Sequence, residues 1–145
     1  MRILADTNIL VRSVERGHPS LRAARDSLRR LYEQGNELFI TIQNISEFWN
    51  VCTRPTALNG LGNSIEATDR LTSRLERFFT VLPESMDVFA YWRKLVVTHG
   101  VKGAKVHDAR LAAAVLAYGL DGILSFNGDD FSRFSITVFD PVAVS

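Results

Sequence analysis

What the chain lacks narrows its class. It has a single cysteine, Cys52, so no intrachain disulfide framework can form, and a lone thiol suits a reducing cytosol. No apolar run approaches the ~20 residues of a membrane span. The run after Met1-Arg2, Ile3 to Ala5, is too short for a signal peptide, so a cytoplasmic protein without membrane attachment is expected. Charge of one sign is also missing. The net charge is +1, so no overall field attracts a polyanion, and any nucleic acid must be met by local patches. There is no repeat, linker or low-complexity tract, which leaves one domain over residues 1–145. No G-x-S-x-G elbow and no G-x-x-x-x-G-K-[ST] loop occurs, and Gly60-Leu61-Gly62 does not make a phosphate cradle. The three histidines and one cysteine show no zinc-ligand spacing.

What is present suits a globular α/β chain. Apolar residues make up 46% and charged residues 23%, enough for a hydrophobic core in a domain of this length. Short apolar runs at Ile3 to Ala5, Leu38 to Ile42, Thr80 to Leu82, Gly122 to Ser125 and Ile136 to Phe139 read as strands. Helical spacing marks the stretch from Leu21 to Tyr32, then Ile45 to Val51, Ile65 to Phe79, Val88 to Val96 and Ala109 to Tyr118. Thr7-Asn8 starts a further helix. Arg54 to Ser64, with Pro55, Gly60 and Gly62, reads as a loop, as does Lys102 to Lys105. Strands alternating with helices predict a mainly parallel sheet with helices on both faces, and such sheets collect ligands at the carboxyl ends of their strands.

Four acids fall at that end. Asp6 closes the first strand, Glu47 lies about one turn into the helix after the second, and Asp108 opens the apolar helix from Ala109. Asp130 follows the penultimate strand in Ser125-Phe126-Asn127-Gly128-Asp129-Asp130-Phe131. Each has an ordinary reading: Asp108 as a helix-start acid favoured by the dipole, Glu47 as an exposed helix acid, Asp130 as turn chemistry. A strand-terminal acid such as Asp6 is harder to account for in that way. Together the acids would sit beside core segments, where carboxylates cost desolvation unless a cation balances them. With no cation evident nearby in sequence, a hard divalent ion, Mg²⁺ or Mn²⁺, is expected.

The pieces Asp6-Thr7-Asn8, Ser46-Glu47-Phe48, His107-Asp108-Ala109 and Ser125 to Phe131, in this order over essentially the whole chain, resemble PIN-domain nucleases. Length and the lack of appended domains look like the VapC-type toxins of bacterial toxin–antitoxin pairs. The resemblance implies a three-layer α/β/α sandwich with a central mainly parallel sheet, Mg²⁺- or Mn²⁺-dependent endoribonuclease activity, a cognate antitoxin and a homodimer. Carried over to this chain, it gives Asp6, Glu47, Asp108 and Asp130 the metal-site roles, with Asp6 and Asp108 the surest ligands. The family's Asn-x-x-Asp-Phe spacing selects Asp130 over the adjacent Asp129. Ser125 stands where many relatives have Thr and keeps the hydroxyl. The loop from Thr53 to Gly62 is longer than in the smallest relatives.

Phosphodiester hydrolysis needs an in-line water and a stabilised leaving oxygen. Bare carboxylates would repel the phosphate, so a metal must invert the local charge and activate the water. One or two ions both fit the sequence. Around the acids, Thr7 and Asn8 either cap the first helix or position a metal-bound water. Ser125 and Asn127 either orient Asp130 or a ligand water, or simply make the turn. His107 is expected to pack or support rather than act as a base, and His18 to lie in a surface loop. Lys102 and Lys105 are candidate phosphate contacts. Arg22, Arg25 and Arg29, and Arg70, Arg74 and Arg77, read as solvated helix faces, and Trp49 and Trp92 as core. The competing readings are a nuclease of DNA or of RNA processing, a non-catalytic PIN-like binding module, and a receiver-like signalling domain. The last needs a phosphoacceptor acid after the third strand, where Pro83 stands instead.

Overall fold

The computed structural model describes residues 1–144. Its sheet has five strands, all parallel, in the order β3-β2-β1-β4-β5. They are β1 (Arg2–Ala5), β2 (Glu37–Thr41), β3 (Thr80–Leu82), β4 (Gly122–Leu124) and β5 (Val138–Phe139). The chain builds outward from β1 to β2 and β3, then crosses back to add β4 and β5 on the other side. Strand order therefore reverses between β1 and β4, where Ile3 to Ala5 pair with Gly122 to Leu124. That reversal opens a crevice at the carboxyl ends of the strands. At the opposite, amino end of β4, Gly122 is needed because a Cβ there would lie 2.4 Å from the Thr137 carbonyl oxygen.

Helices cover both faces. On one lie α1 (Thr7–Val14), α2 (Leu21–Glu33), α3 (Ile42–Thr53) and α4 (Ile65–Phe78). Their Ile9, Leu10, Leu28, Leu31, Phe48 and Leu75 pack with Ile3, Ala5 and Ile40 of the sheet. The short α7 (Pro141–Val144), not expected from sequence, joins that side. On the other face α5 (Met86–Thr98) and α6 (Lys105–Ala117) pack with Leu4, Phe39 and Ile123. Successive β1 residues thus serve opposite layers, as a pleated strand requires. Phe48 and Phe131, one per layer, are fully buried, and truncating either to Ala would cost about 3–5 kcal/mol.

Several boundaries shift from the sequence reading. The helix expected over Ile45 to Val51 starts at Ile42, because Thr41 and Asn44 form a reciprocal capping box, so Glu47 sits in the second turn. The helix expected from Ala109 starts at Lys105, so Lys105 is helical rather than loop and Asp108 lies within the first turn. The Arg54 to Ser64 loop contains a 3-10 turn over Thr56–Leu58. The Asn-Gly-Asp-Asp segment continues as a 3-10 run over Gly128–Phe134, drawn inward by buried Phe131 and Phe134. The last strand begins at Val138 rather than Ile136, and the sheet is wholly rather than mainly parallel. No helix among the described residues is long and apolar enough to cross a membrane.

Candidate active site

The crevice between β1 and β4 is closed by one side-chain contact. Asp6, the residue after β1, receives a 2.7 Å hydrogen bond on Oδ2 from the Ser125 hydroxyl, the residue after β4. Its other oxygen accepts the Thr7 N–H at 2.7 Å, capping α1. Ser125 is fully committed. Its oxygen also accepts from Asn8 Nδ2 at 3.2 Å and from the Asn127 N–H at 2.9 Å. With both lone pairs occupied, the hydroxyl proton has only Asp6 to address. Asn8 Oδ1 in turn takes the Phe126 N–H at 3.4 Å. Thr7 accepts from Asn44 Nδ2 at 3.0 Å, and Asn44 is itself fully buried. Ser125 therefore aims Asp6 rather than the expected Asp130, and Asn8 holds Ser125. Asp6, rather than Thr7 or Asn8, caps α1. Thr7 ties α1 to α3, and Asn127 contributes through its backbone.

Burial dominates the electrostatics of Asp6. It pushes the carboxyl up from 3.8 to about 6, against the downward pull of the Ser125 and Thr7 hydrogen bonds. The negative charges of Asp108 and Glu47 push it further in the same direction, which places both in electrostatic reach of Asp6. Asp108 is raised by burial first, then by Asp130 and Glu47, with Lys105 opposing. Asp6, Glu47 and Asp108 thus act on one another at one rim, and Asp130 joins them through Asp108 and Lys105. Asp129, beside Asp130, is exposed and falls outside those links.

Two features of the rim differ from the sequence reading. A cation does stand among the acids. Lys105 Nζ is 2.7 Å from Asp130 Oδ1 and 3.8 Å from Asp108 Oδ2. Lys102 is exposed in the preceding loop. Gln43 was not anticipated at all. Its amide donates to Glu47 Oε1 at 2.9 Å and to the His107 carbonyl at 3.0 Å, tying α3 to α6 and aiming Glu47. Asn44 carried a signal in the Thr41-x-x-Asn44 spacing, whereas nothing in the sequence marked Gln43.

The remaining expectations are quickly placed. His107 exposes its ring and uses its carbonyl for Gln43. His18 lies in the loop before α2, where Nδ1 accepts the Ser20 N–H. Trp92 is half-buried and donates to the Val106 carbonyl at 2.8 Å, and Trp49 is half-buried on α3. The arginines of α2 and α4 are exposed. An apolar cavity of about 700 Å³ lies beside the acids rather than over them. Leu82, Phe89 and Trp92 wall it, and it meets the rim at Gln43 and His107.

Among the described residues no three Asp, Glu, His or Cys side chains stand close enough to form a ready-made metal cage. Mg²⁺ does not ask for one, since it binds through one or two carboxylates and keeps several waters. The donors here are all carboxylate oxygens, and burial with neighbouring acids disfavours their charged forms, a cost that a cation at the rim would offset. The residues therefore fit a hard divalent ion that keeps most of its waters, with one or two of Asp6, Asp108, Glu47 and Asp130 as the carboxylates that would hold it.

This set of acids at the reversal point of a wholly parallel sheet defines an α/β fold with an oxygen-rich site at its carboxyl rim. The chain belongs to the PIN domain family, whose model matches residues 3–136. No match to a curated protein sequence is found. Among solved structures, FitAcB of Neisseria gonorrhoeae is 22% identical over 96% of this chain and 97% of its own, with a TM-score of 0.68. VapBC2 of Rickettsia felis, bound to a promoter DNA fragment, is 16% identical over 97% and 98%, at a TM-score of 0.71. VapC20 of Mycobacterium tuberculosis, described as a Sarcin-Ricin loop cleaving toxin, is 19% identical over 93% and 96%, at 0.70. At these identities the likeness establishes a shared fold.

Proposed function

We propose that the chain is a divalent-metal-dependent endoribonuclease and the toxin of a toxin–antitoxin pair. The observation that carries the catalytic part is the grouping of Asp6 with Asp108 and Glu47, whose charges act on it, and of Asp130, joined to Asp108 through Lys105. Membership of the PIN family supports a nuclease. The RNA substrate and the toxin role draw on neighbours such as the Sarcin-Ricin loop cleaving toxin VapC20 and the VapBC and FitAB assemblies.

When bound, Mg²⁺ or Mn²⁺ supplies the positive charge that lets an anionic phosphate approach and an activated water attack it. The chain's residues do the rest. Asp6 and Asp108 would hold the ion, with Glu47 and Asp130 nearby to bind it or its waters. Ser125, donating to Asp6, and Gln43, donating to Glu47, fix two of the four carboxylates before substrate arrives. Asn8 and the Asn127 N–H hold Ser125 in that orientation, and Thr7 fixes α1. Lys102 and Lys105 meet RNA phosphates. A homodimer agrees with α5, where Met86 and Val97 are each 76% exposed.

The test is cleavage of single-stranded RNA and of matched single-stranded DNA, with EDTA, Mg²⁺ or Mn²⁺. The reading predicts RNA cleavage that EDTA abolishes and Mn²⁺ restores. Cleavage of DNA in preference to RNA would move the protein to the alternative substrate class. Cleavage that survives EDTA would remove the metal from the mechanism. Co-purification with the product of an adjacent short reading frame, and neutralisation by it, tests the antitoxin.

A further inference from the structure

Lys105 stands where local helix energetics would not place it. It is the first residue of α6, and the positive end of a helix favours acids over cations. Its N-terminal neighbour Ala104 supplies no side-chain cap. The side chain nevertheless turns to the rim and spans two elements, bonding Asp130 of the 3-10 run at 2.7 Å and lying 3.8 Å from Asp108 of its own helix. Both carboxylates are largely covered, with side chains 29% and 27% exposed, while the lysine itself is 53% exposed. Exposed ion pairs of this kind contribute little, because solvent screens them and both side chains lose freedom, so the ammonium holds its place only weakly. It also carries one charge where the rim presents four acids.

We propose that Lys105 is the site's exchangeable counter-ion: its ammonium holds Asp130 and Asp108 while no divalent ion is bound, and turns to an RNA phosphate once one is. The proposal rests on reading the rim as a divalent-ion site. A doubly charged, compact ion competes for the same carboxylate oxygens and displaces a flexible side chain with an ample solvent path. The freed ammonium, on a flexible stem that starts at a helix end beside the acids, stays within reach of the incoming phosphate. The lysine thus keeps the acids from repelling one another in the empty site, and changes partner rather than being idle in the loaded one.

Calorimetric titration of Mn²⁺ into the folded protein separates this from a purely structural role. Lys105→Met keeps the stem and removes the charge. It should bind Mn²⁺ roughly three- to tenfold more tightly than wild type at low salt, and the gap should shrink at high salt. Lys105→Arg, which keeps a cation with a wider fork, should bind at or below the wild-type affinity. A labelled single-stranded oligoribonucleotide of mixed sequence, at saturating Ca²⁺, should bind Lys105→Met more weakly than wild type and Lys105→Arg about equally. Metal affinity and RNA affinity therefore move in opposite directions. Unchanged or weaker Mn²⁺ binding by a folded Lys105→Met protein overturns the proposal, as does unchanged RNA affinity. Wild-type protein that binds no Mn²⁺ removes the rim reading itself, and this inference with it.

Discussion

The two ends of the acidic rim are built on opposite principles. At the inner end, Asp6 is 8% exposed and both of its oxygens are claimed, by Ser125 and by the Thr7 N–H. Its neighbours are claimed in turn, down to the buried Asn44. At the outer end, Asp108 and Asp130 are more than a quarter exposed and share one exposed ammonium, that of Lys105. The inner carboxylate is aimed by a fixed network whose geometry was set when β1 and β4 paired. The outer pair is held by a charge that can leave. Fixed aim suits a ligand that must always face the ion, and loose pairing suits groups that change partner during turnover.

The sharpest way to break this contrast is to remove one group from each end. Asp6→Asn is expected to lower Mn²⁺-dependent RNA cleavage by more than about 100-fold, beyond the 10–100-fold typical of supporting residues, with a cooperative thermal transition retained. Ser125→Ala comes next. It withdraws the donor to Asp6 and the acceptor of Asn8 and the Asn127 N–H, so metal affinity should fall by about 10–100-fold. Because that hydrogen bond lowers the Asp6 pKa, its loss should carry the Asp6 titration above about 6.

The pH response sharpens the comparison further. The folded pKa of Asp6, about 6, lies above its ordinary 3.8, so between these values the folded state binds more protons than the unfolded one. Stability of the metal-free protein therefore rises as pH falls through 6, and the penalty is complete above it. Two units correspond to about 3 kcal/mol at most, an order-of-magnitude figure. In EDTA, the difference in thermal midpoint between Asp6→Asn and wild type should be larger at pH 7.5 than at pH 4.5. An Asn amide meets a Ser125 oxygen whose lone pairs are already taken, so the full gain is not expected. The smallest effect is reserved for the turn. Asp129→Asn should leave cleavage within about twofold, while Asp130→Asn should lower it clearly. Equal losses from both would undo the spacing argument that selects Asp130.

Much of the inner end was legible from the chain alone. Asp6 ends an apolar run and is followed by Thr-Asn, and a hydroxyl residue ends the run before Asn127, so strand-end chemistry marked Asp6, Ser125 and Asn8. The partners of Ser125 and Asn8 depend on β1 meeting β4 and were not legible. Asp108 was legible as an acid at a helix start, although the helix begins at Lys105. What escaped was whatever depended on two elements meeting. Gln43 bridges α3 and α6 across 64 residues of chain, and Lys105 reaches Asp130 across 25. No local propensity encodes either contact. The same blindness produced the expectation that no cation stood near the acids. The early start of α3 was hidden because Gln43 and Asn44 are polar residues buried by bonding partners rather than by apolar periodicity.

The account stands or falls on whether the inner carboxylate is the anchor of a divalent-ion site. Calorimetric titration of Mn²⁺ into wild type and Asp6→Asn at pH 7.5, each shown folded by its thermal transition, measures that directly. Saturable binding to wild type, weakened at least about tenfold in Asp6→Asn, is the predicted result. Equal affinity in the two folded proteins would contradict it.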